Sequence, residues 1–501
     1  MNSLETTPLL EEAGALAPSP AAAKSREWKP AAVILDIATL GTGTLLAGLI
    51  NVALVFVVPR IISVEDYGYW RMFGLYAGYV GFLHLGFADG ALLRWAGRPI
   101  SDFHSEIAPS LKFLFFQQLI VLAPLTVIAC LTLSGPARFV ALAVGAYAIV
   151  LNTAALLQFA LQSAKIFRPV AVSGAVAPAM FLGLTLIWRT RLPAGFRMVT
   201  ILFISGWLLA FLILFASAKP WSSLRIDLDW RALAKSCVSA GWPVVLANTG
   251  VMLILCADRL ALSWAANIQD FAQYSLAASA MAVPVMAIQA CSKVFFSHLA
   301  GLAPDTRRRI YGVSSRLLLM AWAALLPYYF ALDAFVRHFL PRYTPSLQYA
   351  RILLLGIPFF ASVQILQMSY AYLHGLQRRF LVVTAFILLC SVVTTSLLVR
   401  DSCSLRPVAA FQVGILAIWW MCSEWQFREM ATRRSRRWVQ FLLFYGLISV
   451  AYLVATLCWD RHSVLSIGSY YATVIAAVAA SMRSDLSFFG RMLMKPRVSG
   501  E

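Results

Sequence analysis

Charged side chains interrupt the apolar stretches of this sequence, and they are the first candidates for chemistry. Arg71 and Asp89 lie within one such stretch, and Asp258 and Arg259 lie near the end of another. A charge in hydrocarbon is costly unless it faces protein or a water-filled cavity. The sequence therefore predicts a polar cavity inside an apolar protein. The remaining candidates to line it are Arg94, Lys293, Arg316, Arg351, Asn51 and Asn248.

The sign of these charges favours an anionic ligand, because cations outnumber anions among the candidates. Arginine suits phosphate, since its guanidinium donates in a planar fork and keeps its proton. Amides such as Gln117, Gln118 and Asn152 suit sugar hydroxyls, although hydrogen bonds between helices are their more frequent use. Asp89, Asp258 and His84 are candidates for binding a coupling ion, with packing as the alternative role for His84.

For several of these charged residues a structural role is the alternative. Arg71 and Asp89 are eighteen residues apart, so on one continuous helix they share a face about 27 Å apart and cannot pair. Both could reach the membrane interface or pair with a neighbouring helix instead. The same alternative holds for Arg94 and for Asp258 and Arg259.

The elements that position these residues are apolar runs. The 501-residue chain is 60% apolar and only 13% charged, and runs of about 20 residues can cross a bilayer as helices. About fourteen such runs are predicted, at 38–60, 68–93, 110–133, 137–161, 169–188, 198–217, 238–262, 271–297, 310–333, 346–374, 380–399, 405–426, 438–459 and 464–482. The loops between them leave no room for a soluble catalytic domain, so the predicted fold class is an all-α polytopic membrane protein.

The basic residues between the spans predict the orientation. Loops and tails on the N-terminal side carry more than twice as many Lys and Arg residues as the opposite loops, which predicts cytoplasmic termini. The net charge of +19 then reflects contact with an anionic inner leaflet and needs no nucleic acid. No metal-binding motif, enzyme motif or cofactor site is found, so no catalytic residue, metal or cofactor is predicted.

A faint internal repeat divides the spans. Residues 65–69, Glu-Asp-Tyr-Gly-Tyr, return about 204 residues later as 269–274, Gln-Asp-Phe-Ala-Gln-Tyr. Such repeats usually form two halves around a central cavity. The predicted organisation is a cytoplasmic tail, a six-helix bundle, a cytoplasmic linker, a second six-helix bundle pseudo-symmetric with the first, two additional helices and a cytoplasmic tail. Their predicted ranges are 1–37, 38–217, 218–236, 237–427, 428–483 and 484–501.

Several of these motifs together resemble a known family. Thr42-Gly43-Thr44, the run from Pro59 to Tyr69, Gly86-Phe87-Ala88-Asp89-Gly90 with Arg94, Gly241-Trp242-Pro243, Asp258-Arg259 and Tyr274 are similar to motifs of the Wzx-like polysaccharide-synthesis flippases. These O-antigen and exopolysaccharide translocases belong to the multidrug/oligosaccharidyl-lipid/polysaccharide exporter superfamily. The sequence departs from the pattern at Ala272, where a glycine is usual, and spans 11 to 14 carry no such motif.

The resemblance implies that the chain moves an undecaprenyl-diphosphate-linked oligosaccharide repeat unit across the bacterial inner membrane, by alternating access with ion coupling. Membrane lipids, a polysaccharide polymerase and a chain-length regulator are the further partners it implies. Three alternatives remain: a peptidoglycan-precursor flippase, a multidrug/ion antiporter of the same superfamily, and an integral membrane glycan transferase. A drug exporter needs a deep acidic residue for cationic drugs, whereas the charges within these spans are mostly basic.

Overall fold

Every regular element that the structure describes is a helix. The computed structural model describes residues 30–96, 98–188, 195–220, 230–300, 304–374, 376–401, 405–426, 434–458 and 463–481. Within these ranges there is no strand, which confirms the predicted all-α class.

In the first half of the chain, the described residues form seven α-helices and one short 3₁₀ segment. They are α1 (Pro30–Ile61), α2 (Val64–Ala77), α3 (Phe87–Trp95), α4 (Ile100–Thr132), α5 (Gly135–Ser163), α6 (Phe167–Trp188) and α7 (Phe196–Ala218). A 3₁₀ segment, Val80–His84, separates α2 from α3.

The second half contains twelve more helices in the described residues. They are α8 (Trp230–Ala265), α9 (Ile268–Ser279), α10 (Ala282–Ala300), α11 (Pro304–Leu325), α12 (Tyr328–Phe339), α13 (Leu347–Leu353), α14 (Ile357–Ala361), α15 (Met368–Leu373), α16 (Gln377–Asp401), α17 (Arg406–Trp425), α18 (Arg434–Cys458) and α19 (Ser463–Ser481). A π-helical segment, Ser362–Gln367, joins α14 to α15.

These helices account for the predicted spans. Nine stretches of the described chain are long and apolar enough to cross a membrane, and α9 with the first part of α10 forms a tenth, bent by 42°. Apolar helices also cover Leu46–Ile61 and Leu465–Ala479. The predicted spans at 68–93 and 238–262 correspond to the broken pair α2 and α3 and to α8. The chain is therefore a multi-pass membrane protein.

The internal repeat is visible in the helix boundaries. α1 ends at Ile61 and α8 at Ala265, and the following helices begin at Val64 and Ile268. α4 and α11 likewise begin at Ile100 and Pro304. Each of these boundaries recurs at the offset of about 204 residues found in the sequence, so the repeat is structural as well as sequential.

The contacts group the chain into two compact units. Unit 1 comprises Met1–Asn51, Tyr76–Leu192 and Met198–Leu246, and unit 2 comprises Val52–Leu75, Pro193–Arg197 and Ala247–Glu501. These units do not follow the predicted bundle ranges 38–217 and 237–427, because residues 52–75 pack with the second half of the chain. The division into two six-helix bundles, which was inferred from the repeat, therefore stays a prediction.

The expectation that Arg71 and Asp89 share one helix face was wrong. The helix is interrupted after Ala77, and Leu85 and Gly86 both have positive φ angles of 51° and 82°. A left-handed residue cannot continue an α-helix. Arg71 therefore belongs to α2 and Asp89 to α3.

The break needs hydrogen bonds for its free carbonyl groups, and buried amides supply them. Gln117 and Gln118 both donate to the Leu83 carbonyl, at 2.8 and 2.9 Å, and Asn152 donates to the Val80 carbonyl at 2.9 Å. In hydrocarbon an unpaired carbonyl is costly, so these amides allow a broken helix at membrane depth. Gln117, Gln118 and Asn152, which were candidates to bind sugar hydroxyls, thus form hydrogen bonds to the carbonyl groups of the break.

Within unit 1, α3 crosses the first part of α8 at backbone contact. A Cβ added to Gly241 would overlap the Gly86 carbonyl oxygen, and one added to Gly90 would overlap the Cys237 carbonyl oxygen. Small residues let helix backbones approach this closely. The crossing therefore holds α3, which carries Asp89 and Arg94, against α8.

We predict that Gly241→Ala destabilises the protein, because the added methyl group must push apart two backbones. The expected loss is about 1–3 kcal/mol, typical of overpacking, measured as a lower midpoint of thermal unfolding in detergent. Gly183→Ala in α6 is the matched control, since a Cβ there meets nothing within 4 Å. Equal midpoints for the two variants would contradict the close crossing.

Candidate functional site

A cavity in unit 2 brings together three of the predicted site residues. Arg71, Asp258 and Arg259 line it, and its volume is about 210 Å³. The remaining lining residues are Val55, Leu255, Ala278, Ser279, Met281, Ala282, Val285, Leu353, Gln412 and Leu416. The cavity is smaller than the roughly 300–1,000 Å³ of ordinary small-molecule sites. A phosphate group or a few water molecules therefore fit it, whereas an oligosaccharide does not.

The carboxylate of the cavity is held by two donors. Tyr274 donates its hydroxyl to Asp258 Oδ2 at 2.6 Å, and the backbone N–H of Arg259 donates to Asp258 Oδ1 at 2.7 Å. Asp258 and Tyr274 are 2% and 0% exposed, so these bonds replace water that the carboxylate has lost. Both donors stabilise the charged form.

The two arginines give the cavity an excess of positive charge over the single carboxylate. Arg71 is half-buried, and its Nε is a buried donor without a hydrogen-bond partner among the described residues. Arg259 donates from a terminal guanidinium nitrogen to Cys256 Sγ at 2.7 Å. A buried guanidinium N–H that lacks an acceptor is costly. The cavity is therefore suited to an anion that accepts from Arg71.

A buried amide adds an acceptor to the same cavity. Gln412 of α17 donates to the Ile254 carbonyl at 2.9 Å, while its Oε1 is buried without a partner in the described residues. The residue is 2% exposed. A water molecule that donates to Gln412 Oε1 would satisfy this atom and hydrate the cavity.

Local capping sets where α2 and α9 present these side chains. Ser63 caps α2 by accepting from the Asp66 N–H at 3.0 Å, and Asn267 caps α9 by accepting from the Gln269 N–H at 3.0 Å. Such caps satisfy donors that the first helical turn leaves free. Ser63 and Asn267 stand at equivalent positions of the repeat.

The two copies of the repeated motif meet within unit 2. A Cβ on Gly68 would lie 2.6 Å from the Ile268 carbonyl oxygen and 2.8 Å from its side chain. Only glycine allows this approach without displacement. The close contact places α2, which carries Arg71, beside the start of α9, which carries Tyr274.

Other predicted site residues lie in unit 1 and form separate contacts. His84 Nε2 is 3.4 Å from Asp89 Oδ2, and His84 Nδ1 accepts from the Gly86 N–H at 3.1 Å. With Nδ1 accepting, a neutral imidazole carries its proton on Nε2, which faces Asp89. The two ion-coupling candidates of this unit are therefore neighbours.

Arg94 is engaged in an ion pair within unit 1. Its Nε donates to Glu106 Oε2 at 2.9 Å, and Trp95 Nε1 donates to the same oxygen at 2.9 Å. Arg98 is 3.7 Å from Glu106 Oε1. Glu106 is thus a buried carboxylate surrounded by donors. In this structure Arg94 is one of these donors and stabilises the carboxylate.

The remaining predicted residues are not among the lining of the unit 2 cavity. Arg316 and Arg351 are half-buried on α11 and α13, and Asn51 is exposed on α1. The side chains of Asn248 and Lys293 lie outside the described residues. The role of these five residues stays a prediction.

The sequence did not single out Gln412, Cys256 or the bond between Tyr274 and Asp258. Gln412 and Cys256 stand in apolar runs as ordinary polar and small residues. Tyr274 was recognisable as part of the repeated motif, but its partner depends on how α9 folds back along α8. The sequence alone does not show how these two helices pack.

Comparison with known proteins rests on structure alone. No protein-family model and no curated protein sequence matches this chain. The solved structures do contain similar folds. The lipid II flippase MurJ, in an inward closed conformation, has a TM-score of 0.66 at 12% identity, covering 92% of this chain and all of that chain.

Multidrug transporters have the same fold. A MATE family transporter of the MOP superfamily matches in its outward-facing conformation with a TM-score of 0.51 and in its inward-facing conformation with 0.50. Both matches have 12% identity and cover 79% of this chain and 96% of the other. This chain therefore has a MurJ-like and MATE-like transporter fold.

We predict that Tyr274→Phe destabilises the protein, because it leaves the buried Asp258 carboxylate without one of its donors. The expected loss is about 1–3 kcal/mol, measured by thermal unfolding of the purified protein in detergent. In the Asp258→Asn background the same change should cost less, since a neutral amide oxygen needs the donor less. Tyr471→Phe, at an exposed ring, is the control. An unchanged midpoint for Tyr274→Phe would refute the bond.

Proposed function

We propose that the protein is a flippase for an undecaprenyl-diphosphate-linked oligosaccharide repeat unit. The observation that carries the proposal is the unit 2 cavity, where Arg71 Nε has no hydrogen-bond partner among the described residues and Arg259 lines the same cavity. A diphosphate is the part of such a lipid that hydrocarbon excludes most strongly, because it is charged. Arginine binds it in a planar fork without titrating.

The size of the cavity limits its role to the phosphates. At about 210 Å³ it accommodates a phosphate group, and the sugars must occupy space elsewhere. The lipid tail can remain in the bilayer, since the faces of α4, α16 and α18 expose large apolar side chains such as Ile120, Phe386 and Leu443. The protein therefore needs to shelter only the headgroup during passage.

The fold supports translocation by alternating access. The helix boundaries repeat at about 204 residues, and repeated halves in transporters commonly rock around a shared binding site. The MATE structures with the same fold were solved in both outward-facing and inward-facing conformations. The proposed direction is from the inner to the outer leaflet of the bacterial inner membrane, with both termini cytoplasmic. A polysaccharide polymerase and a chain-length regulator are the proposed partners.

A peptidoglycan-precursor flippase is the second candidate. The similarity to the lipid II flippase MurJ extends over 92% of this chain, and both candidates carry a lipid-linked glycan. A multidrug antiporter fits less well, because a cationic drug would meet two arginines and one carboxylate in the cavity. An integral membrane glycan transferase has no support from the fold, which is that of transporters.

We predict that Arg71→Ala abolishes export while Arg71→Lys retains part of it, because lysine keeps the charge but loses the planar fork. The measurement is the amount of surface polysaccharide on native host cells that express the variant and lack their own copy of the gene. Immunoblots check the level of the variant protein. Arg138→Ala is the control, since Arg138 is exposed and donates to the Leu133 carbonyl. Full export from Arg71→Ala would contradict an anion-binding cavity.

The lipid precursor that accumulates in the deletion strain separates the two candidates. Accumulation of a repeat-unit lipid supports the polysaccharide flippase. Accumulation of the peptidoglycan precursor, with arrest of growth, supports the second candidate.

A further inference from the structure

Basic side chains lie at one end of unit 1, where its spanning helices begin and end. α4 begins at Ile100, α5 ends at Ser163, α6 begins at Phe167 and α7 ends at Ala218. Because each of these helices crosses the bilayer once, the four ends lie at the same membrane surface. A basic residue lies within two positions of each end, namely Arg98, Lys165, Arg168 and Lys219. We call these residues, together with Arg231 and Lys235 at the start of α8, the basic face.

A shared apolar core holds this end of unit 1 together. The ends of α3 to α8 contribute buried side chains to one cluster, which includes Trp95, Phe103, Leu161, Val170, Ala218 and Leu233. Every residue of the basic face lies within four positions of a member of this cluster. The cations of six helix ends therefore converge around one core and form a common surface.

Two lysines of the basic face have a backbone conformation that favours glycine. Lys165 follows α5 with a φ of 60°, and Lys219 follows α7 with a φ of 48°. The Ile166 N–H donates to the Leu161 carbonyl at 2.8 Å, which is the hydrogen bond that closes such a helix end. Glycine is the usual residue at this position, because a side chain is strained in the left-handed region. The lysine side chain therefore contributes something that glycine would not, either to the helix dipole or to a ligand.

Cations of the basic face exceed the acidic side chains around them. Lys165, Arg168 and Lys235 are exposed, and their side chains form no ion pair or hydrogen bond with the part of the chain that the structure describes. The acidic residues near the same helix ends in that part are Asp102 and Glu106. Glu106 already has two arginine partners. The basic face therefore keeps a net positive charge that an external anion can neutralise.

Exposed apolar side chains lie next to these cations in the sequence. Ile166 follows Lys165 and is 37% exposed, and Leu93 of α3 precedes Arg94 and is 54% exposed. A phospholipid has an anionic headgroup and apolar acyl chains, so it can contact both kinds of side chain at a helix end. A soluble anion or an acidic protein surface would leave the apolar side chains without a partner. The pattern therefore favours a lipid as the ligand.

We infer that the basic face binds the headgroups of anionic phospholipids, with Lys165 and Arg168 as the residues that bind the phosphate between α5 and α6. The general attraction of a basic protein to an anionic leaflet requires no particular residue, whereas this site depends on side chains at defined helix ends. The inference is independent of the proposed function, because lipid binding is measured on the purified protein without a transported substrate.

The test uses the full chain in phosphatidylcholine vesicles that contain a trace of photoactivatable phosphatidylglycerol. We expect labelling of residues 161–170, which unlabelled phosphatidylglycerol reduces, whereas additional phosphatidylcholine, or inorganic phosphate at matched ionic strength, does not. The double variant Lys165→Gly, Arg168→Gln removes two charges, so this labelling should fall by about 25-fold, at roughly five-fold per charge. Arg138→Gln is the matched control and should leave the labelling unchanged, because it removes an exposed cation at the opposite end of α5.

The midpoint of thermal unfolding separates lipid binding from a role in ending the helix. Lys165→Gly relieves a strained left-handed residue, so we expect its midpoint in detergent without lipid to equal or exceed that of the unaltered protein. A lower midpoint with unchanged labelling would show that Lys165 only stabilises the end of α5, and the inference would be wrong. It would also be wrong if residues 161–170 of the unaltered protein were not labelled, if the double variant were labelled equally, or if phosphatidylcholine or inorganic phosphate competed as well as phosphatidylglycerol.

Discussion

A polar group inside a membrane must find its hydrogen-bond partners within the protein, and this constraint explains most of the described polar contacts. Asp258 is held by Tyr274, Glu106 by Arg94 and Trp95, and Glu424 by Tyr311 and Gln367. The carbonyl groups freed at the break after α2 are bonded by amides of α4 and α5. Buried polar atoms that lack a partner in the described part of the chain, such as Arg71 Nε, are therefore informative.

Two of these carboxylates, Glu106 and Asp258, differ in the chemistry of their partners, and that difference sets what each can contribute to the structure. Glu106 is surrounded by permanent donors, which hold it charged and tie α3 to α4. Asp258 shares a cavity with two arginines, so it moderates a positive surface that an anion can use. Carboxylates thus have two roles here, each set by the neighbouring side chains.

The sequence predicted the helical class, the approximate spans and the repeat because all three depend on local patterns. Apolar runs determine which segments enter the membrane, and the motif copies at 65–69 and 269–274 mark equivalent helix starts. It did not predict the break within the second span, because the carbonyl freed at Leu83 is bonded by amides more than 30 residues away in the sequence. Arg71 and Asp258 were two of ten residues predicted to line a cavity, whereas the contacts of Gln412 are tertiary and no local pattern contains them.

The crossing of α3 and α8 has a consequence for how this protein can vary. Gly86, Gly90 and Gly241 leave no room for even a methyl group between two main chains. A side chain introduced at one position cannot be absorbed by trimming its neighbour, since the neighbour is already glycine or main chain. Homologues that keep this crossing should therefore retain the three glycines as a set, and a lineage that loses one should have replaced the whole crossing.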